Sequence, residues 1–354
     1  LDDFLERIST NFSPLPFLEA NQFLKMTTPH IGASSLTGGT AAGSARPPPK
    51  YSMVPSEWKL ELPDMGSADN VDFGGCRRIE DAYERINHLG AGTYGDVFKA
   101  KDRETGEVVA VKRIKMETDN KEGFPITALR EIKILSKLAA CDETINGDLL
   151  RDNIIKLREI VRSDGHGSNN HKGSVYMVFD YMDHDMAGLL DRANREKASK
   201  LPPGKSGVRA EPPFAIGQVK RYMKQLFLGL GLLQIPKNNI LHRDLKNANL
   251  LVSNRGELKI ADFGLARGVL QNQSKGSEEG VKEEATNQKN LQMTNRVITL
   301  WYRPPELLMG AENYGKEVDM WSAGCIMAEI LSGRPLFAGK DETSQMELIC
   351  KVLG

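Results

Sequence analysis

The segment His242-Arg243-Asp244-Leu245-Lys246-Asn247-Ala248-Asn249 places several polar residue types in fixed order directly after an apolar run. In a phosphoryl-transfer template, a carboxylate such as Asp244 accepts or orients the proton of an attacking hydroxyl. Lys246 stands where it neutralises phosphate charge, and the amide oxygen of Asn249 suits a hard cation such as Mg²⁺. Asp262-Phe263-Gly264 follows about eighteen residues after Asp244, behind the strand-like run Leu258-Lys259-Ile260, and Asp262 offers a second hard oxygen. His242 reads as a packed residue supporting the loop, not as a base or a ligand. Polar types in this order would be an improbable coincidence for an ordinary solvated turn, and D-F-G, which chance would explain alone, is not chance at this spacing; the two together point to transfer from a nucleotide.

A cradle for that nucleotide stands upstream. Gly90-Ala91-Gly92-Thr93-Tyr94-Gly95 fits G-x-G-x-x-G, a pattern shared by plain turns and dinucleotide folds. A dinucleotide fold runs from its glycines into a helix. Here Asp96–Lys101 continues as a strand, so the glycines cap a β-hairpin that can close over phosphates. Lys112 ends the apolar strand Val109-Ala110-Val111. Most such lysines are simply solvated. Glu131, about twenty residues on, offers a partner that would hold the ammonium against the α- and β-phosphates and make helix position a switch.

The elements that must position these groups divide into a β-rich part and a helical part. Tyr83–Leu89, Asp96–Lys101, Val108–Ile114 and Val175–Phe179 read as strands, with turns at the glycines and at Arg103-Glu104-Thr105-Gly106. Pro125 opens a helix with Ala128, Ile132, Leu135 and Ala139 at helical spacing. Helices are also expected over Gln218–Leu233, Glu306–Leu308 and Asp319–Leu331. The polar stretches Asp142–Asp152, Ser163–Gly173, Asp191–Pro213 and Gln271–Gln292 read as loops. Residues 1–77 read as a low-complexity, disordered extension with a short helix within Leu1–Leu24; no internal repeat is visible.

Composition is ordinary for a globular protein, at 40% hydrophobic and 27% charged residues among 354. The 47 basic and 47 acidic side chains cancel, so bulk attraction to nucleic acid or to a membrane surface is not indicated. Cys76, Cys141, Cys325 and Cys350 form no C-x-x-C pair, which argues against a zinc site or a disulfide framework and for a reducing compartment. Leu1 in place of Met suggests a record lacking its true start.

From about Tyr83 to Gly354 the chain resembles the eukaryotic protein kinases. Pro125-Ile126-Thr127-Ala128-Leu129-Arg130-Glu131 is similar to the cyclin-contacting helix of cyclin-dependent kinases. Thr294–Glu306 is similar to the end of their activation segment, and Asp319-Met320-Trp321-Ser322-Ala323-Gly324-Cys325 to their core helix. The wording Gly123–Leu129 and Val178–Met182 is most similar to the transcription-elongation kinases that act on the RNA polymerase II tail. The resemblance implies an α+β, bilobal fold over residues 78–354. Its small β-rich N-lobe with one helix spans about 83–180, and its mostly helical C-lobe about 185–354. It implies ATP and Mg²⁺ as cofactors, Asp244, Lys246, Lys112 and Glu131 as catalytic residues, and Asn249 and Asp262 as metal ligands.

The adenine pocket implied by the resemblance uses Leu89, Val97, Ala110 and Leu251 around the ring, Phe179 behind it, and Asp180 and Met182 in the hinge. Gly90, Ala91, Gly92, Thr93, Tyr94, Gly95 and Lys112 contact the phosphates. Thr93 and Tyr94 match positions phosphorylated in some relatives, or are loop residues only. Thr294 matches the activating phosphothreonine, clamped by Arg130, Arg243 and Arg267 and modified by a separate activating kinase. The implied partners are a cyclin on the Pro125–Glu131 helix and substrates with Ser/Thr-Pro sites, in the nucleus, with no direct nucleic-acid or membrane contact. A catalytically silent cyclin-binding scaffold and a cell-cycle kinase are the alternatives.

Two departures from the pattern stand out. Gln271–Gln292 lengthens the activation segment, with Met293 in place of a frequent aromatic. The sequence also stops soon after the core helix, where relatives continue with further helices and an arginine that pairs with the Glu306 position. The expectation is a C-terminally incomplete chain with an exposed face on Asp319–Leu331 and an unpaired Glu306.

Overall fold

The chain divides into two units, Leu1–Asn70 and Val71–Gly354. The computed structural model describes residues 76–92, 95–114, 124–163, 173–200, 212–269, 294 and 297–354, all in the second unit. The expected N-terminal helix, the low-complexity run, Thr93, Tyr94, most of Ser163–Gly173 and the insertion Gln271–Gln292 lie outside the described residues.

A short helix α1 (Ile79–Ala82) leads into an antiparallel meander of β1 (Tyr83–Gly92), β2 (Gly95–Asp102) and β3 (Val108–Arg113). Helix α2 (Ile126–Ala139) follows, with Pro125 at its N-cap. Next come a hairpin of β4 (Thr144–Ile145) and β5 (Asp148–Leu149), and the 3-10 turn Leu150–Asn153. Strands β6 (Leu157–Arg162) and β7 (Val175–Asp180) complete a five-stranded sheet in the order β1-β2-β3-β7-β6. Alternation along its strands separates two faces. Val109, Val111, Phe98, Ala100, Val161 and Val178 pack together on one of them. Ala110, Met177 and Phe179 join the main core on the other. Cross-strand partners share a face, so Val97, Lys112 and Met177 form one row, and Lys99, Ala110 and Phe179 the next. This register turns Lys112 towards the helical lobe.

That lobe begins with β8 (His184–Asp185) and α3 (Met186–Lys200), followed by α4 (Ile216–Gln234). Along α4, Val219, Tyr222, Met223, Leu226, Leu230 and Leu233 are buried, and the Gln218 side chain accepts from the Ala215 N–H at 3.1 Å to cap the helix. Then come β9 (Ile240–Leu241), the 3-10 turn Asn247–Asn249, and strands β10 (Leu250–Val252), β11 (Leu258–Ile260) and β12 (Arg267–Gly268). Three helices end the chain: α5 (Pro305–Leu308), α6 (Glu317–Ser332) and α7 (Glu342–Leu353). Gly333 stops α6 at φ +80°, the left-handed turn a glycine takes without strain.

The structure corrects several expectations. Asp142–Asp152 holds the β4–β5 hairpin and a 3-10 turn, because Asn146 and Gly147 both adopt positive φ and close a two-residue turn. The first ten residues of the expected loop Asp191–Pro213 are helical and complete α3, anchored by buried Met186 and Leu190. Strand β6 and helix α7 were not anticipated. The folded lobe also reaches into the expected extension: the Arg77 side chain donates to Glu159, to Asp102 at 3.2 Å and to the Tyr83 hydroxyl at 3.1 Å, and its carbonyl accepts from Arg162. On α6, Met320 is exposed while Val318, Ser322, Ala323, Cys325, Ile326 and Ile330 are buried. Glu306 has no cationic partner among the described residues; burial, and then Glu317, push its carboxyl above the usual range.

Candidate active site

The catalytic loop is held by its surroundings before any ligand is considered. Strands β9 and β12 pair antiparallel, so the segment entering His242 lies beside the segment leaving Gly264. From α6, the fully buried Asp319 carboxylate accepts the His242 N–H at 2.7 Å and the Arg243 N–H at 2.9 Å. Burial pushes Asp319 above the usual carboxylate range, against the pull of those donors and of the Arg243 guanidinium. His242 itself is buried, with its ring edge on Phe263 at 4.8 Å. Its Nδ1 accepts the Asp244 N–H at 3.3 Å and its Nε2 lies 3.0 Å from the Ala261 carbonyl. With both ring nitrogens engaged inside the loop, His242 has a packed, structural role, as read from the sequence.

Three side chains converge on Asp244. Lys246 Nζ lies 2.8 Å from Oδ2, Asn249 Nδ2 donates to Oδ2 at 3.1 Å and to the Asp244 carbonyl at 2.8 Å, and the Thr299 hydroxyl donates to Oδ1 at 3.0 Å. Lys246 also reaches Thr299 Oγ1 at 3.3 Å. The part played by Thr299 was not legible beforehand, since nothing in a spacing of 55 residues announces a shared proton.

On the sheet lobe Lys112 pairs with Glu131 at 2.9 Å and lies 3.8 Å from Asp262 Oδ1. Glu131 is buried, which raises its carboxyl pKa despite the attraction of Lys112. Asp262 takes φ +64°, a left-handed conformation uncommon for a non-glycine, and Arg243 and Ile298 do the same at +64° and +66°. Strained backbone therefore clusters at this site.

The residues present fit Mg²⁺ and a nucleotide. Asp262 Oδ1 is buried without a hydrogen-bond partner. Asn249 commits its amide nitrogen to Asp244 and keeps its carbonyl oxygen as the atom it can offer a cation. Two hard oxygens plus phosphate oxygens and water make a normal Mg²⁺ set. Among the described residues no group of three or more His, Cys, Asp or Glu could hold a metal by itself. At the glycine hairpin a Cβ on Gly90 would meet nothing within 4 Å, leaving room for a ligand. A Cβ on Gly95 would lie 1.7 Å from the Arg113 carbonyl, so only glycine fits there.

Of the expected adenine contacts, Ala110, Met182 and Leu251 are half-buried against the main core, Val97 is half-buried beside Lys112, and Phe179 is buried. Leu89 stands apart, 45% exposed. The Asp180 side chain is engaged elsewhere, with Arg158 Nε at 2.7 Å. Ala91 and Gly92 lie in β1 opposite Asp96 and Gly95.

Around the expected phosphosite, Thr294 is exposed and its carbonyl accepts from the Tyr314 hydroxyl at 2.8 Å. Arg243 donates to that same hydroxyl at 3.1 Å and to the Leu265 carbonyl at 2.8 Å. Arg130 reaches the Gly264 carbonyl at 3.4 Å, and Arg267 sits in β12. Tyr314, which ties Arg243 to Thr294, was missed from the sequence.

A glycine hairpin, a Lys–Glu pair with its carboxylate buried, and two loops whose carboxylate and amide oxygens fit a cation, set between a sheet lobe and a helical lobe, match the bilobal phosphoryl-transfer class. Residues 83–353 match the protein kinase domain family, and the chain belongs to it. It is 45% identical over 305 residues to Cyclin-dependent kinase C-1 of Oryza sativa subsp. japonica, covering 83% of this chain and 49% of the relative. It is 45% identical over 285 residues to Cyclin-dependent kinase C-2 of Arabidopsis thaliana, covering 78% and 46%. Cyclin-dependent kinase 9 of Danio rerio is 43% identical over 288 residues, covering 81% and 65%. The chain thus spans about half the length of these plant relatives.

Proposed function

We propose that this chain is a cyclin-dependent Ser/Thr protein kinase. It transfers the γ-phosphoryl group of ATP to a serine or threonine followed by proline, with the RNA polymerase II tail as a nuclear substrate. The observation that carries the reading is the convergence of Lys246, Asn249 and Thr299 on Asp244, in a chain that also pairs Lys112 with Glu131 beside Asp262. Bound Mg²⁺ supplies positive charge that offsets the phosphates. Lys112, steadied by Glu131, orients the α- and β-phosphates. Asp244 takes the proton of the acceptor hydroxyl at its carboxylate, and Lys246 balances charge on the transferring group.

The proline preference has a local rationale. Ile298, at positive φ, turns its carbonyl to the Arg303 guanidinium, which donates at 3.1 and 3.2 Å. That carbonyl is occupied, and a substrate proline brings no N–H in need of an acceptor. The cyclin partnership is supported by α2, where Ile126 is 70% and Leu129 47% exposed while Glu131 of the same helix is buried. A partner covering the apolar residues would fix the helix, and with it Glu131. The relatives reported above are cyclin-dependent kinases, which favours the same partner class.

The test is turnover with candidate cyclins on Ser-Pro and polymerase-tail peptides, with Asp244→Asn alongside. Loss of about 10³-fold in the variant is expected. Equal turnover of the two proteins sinks the mechanism, a silent wild type that still binds cyclin establishes the scaffold, and activity confined to non-tail peptides favours the cell-cycle kinase.

A further inference from the structure

Asp180 ends β7 where the chain leaves the sheet lobe for the helical lobe. Its side chain meets one cation from each lobe. Arg158 of β6 donates to Oδ1 at 2.7 Å, and Lys259 of β11 lies 3.9 Å from Oδ2. Arg158 continues the series through a close ion pair with Glu107, just ahead of β3. Four charges of alternating sign, Glu107, Arg158, Asp180 and Lys259, therefore run from the sheet lobe across the connection to the helical lobe. Side-chain exposure falls along the series, from 58% at Glu107 through 30% and 23% to 18% at Lys259, so screening weakens towards the interlobe step. The next residue, Tyr181, carries Lys99 Nζ over its ring at 4.1 Å, a second contact from the sheet lobe to the connection.

We propose that the Asp180 carboxylate is a positioning residue, an ionic clamp that sets the angle between the lobes and thereby the rate at which nucleotide leaves. Arg158 fixes Asp180 to the sheet lobe at full hydrogen-bond contact. Lys259 is the looser arm, and opening the lobes lengthens that step first. The same motion changes the 3.8 Å separation between Lys112 and Asp262, which also spans the lobes. The charge of Asp180, not its backbone, carries this role, so it is separable from any hydrogen bond the connection makes to a base. The effect on nucleotide release rests on the kinase reading above; the effect on lobe angle does not.

The chain supplies its own labels for the test. Cys76 and Cys350 are exposed, one at the base of the sheet lobe beside the anchored Arg77 and one on α7, while Cys141 and Cys325 are buried. Spin labels on the exposed pair report the interlobe distance distribution of the nucleotide-free 354-residue chain by pulsed electron resonance. Asp180→Asn and Lys259→Met should each broaden that distribution towards longer distances, and the double variant should add little to either. Release of a fluorescent ADP analogue, followed by stopped flow, should accelerate about five- to tenfold in both single variants. If Asp180→Asn folds poorly, Lys259→Met, which leaves the Arg158 contact in place, carries both readouts. Superimposable distance distributions, or additive effects in the double variant, overturn the clamp. A wild type that binds no nucleotide overturns the kinase reading instead, and the distance distributions still judge the clamp.

Discussion

Asp319 gives the most demanding test of how the catalytic loop is held. Its carboxylate is fully buried and accepts two backbone N–H groups, from His242 at 2.7 Å and from Arg243 at 2.9 Å. Replacement by alanine orphans both donors in a site closed to water, each at about 1–3 kcal/mol. It also removes a buried charge whose raised pKa shows that burial itself disfavours ionisation. The relief offsets part of the loss, leaving a net cost of about 2–4 kcal/mol. Asparagine keeps one acceptor oxygen and sheds the charge, so Asp319→Asn should cost less than Asp319→Ala. The sign of the linkage agrees: a carboxylate with a raised folded pKa works against the fold as pH rises through that value, and neither variant carries this burden at neutral pH. Urea unfolding gives the stability difference, and peptide turnover on the surviving folded fraction gives the effect on the loop. Because Arg243 and Asp244 are adjacent, turnover should fall at least tenfold in the alanine variant at unchanged nucleotide affinity. A loss below 1 kcal/mol with full turnover refutes the claim that α6 holds the loop through this carboxylate.

Gly95→Ala should destabilise the sheet lobe by several degrees in a thermal melt, because its Cβ meets the Arg113 carbonyl at 1.7 Å, whereas Gly90→Ala should melt like wild type and raise the KM for ATP. Arg77→Ala should cost about 1 kcal/mol at neutral pH, a figure discounted for the 37% exposure of the Arg77 side chain. Burial pushes Asp102 and Glu159 up, but backbone N–H groups and Arg77 hold Asp102 below the ordinary range, and Arg77 and Tyr83 do so for Glu159. Their contribution is present above the usual carboxylate pKa and lost as pH falls through the lowered values, so melting curves of wild type and variant should start to draw together below about pH 4 and coincide once the pH is below the lowered values. Persisting separation there would contradict this account. Thr294→Ala should keep nucleotide binding and lower turnover sharply, read by peptide assay with cyclin present; unchanged turnover would show that the Arg243–Tyr314–Thr294 contact carries no switch.

Local pattern was enough wherever one side of an element met a uniform environment. Strand Leu258–Ile260 was read residue for residue, and the helix expected over Gln218–Leu233 proved to be Ile216–Gln234. It failed where polar residues are stabilised by distant partners. In β6, Arg158, Glu159 and Arg162 hide the strand signal; Arg158 meets Asp180 and Glu107, and Glu159 meets Arg77 and Tyr83, across the fold. In α3 the run Asp191–Lys200 looks like loop because its outward face is charged, while the residues that reach the core, Met186, Leu189 and Leu190, all precede it.

The residues proposed for the chemistry were named from the sequence alone, because a carboxylate, an amide and an ammonium at fixed intervals admit few other uses. Asp244, Asn249, Asp262, Lys112 and Glu131 could all be named before any coordinates. What only the tertiary structure decided is how those groups are held. Asp319 beneath the loop, Thr299 on Asp244, Tyr314 between Arg243 and Thr294, and Arg158 and Lys259 about Asp180 are single side chains meeting across 20 to 79 residues. Such contacts carry no periodicity, since their geometry is fixed by the packing of whole elements and not by the local chain.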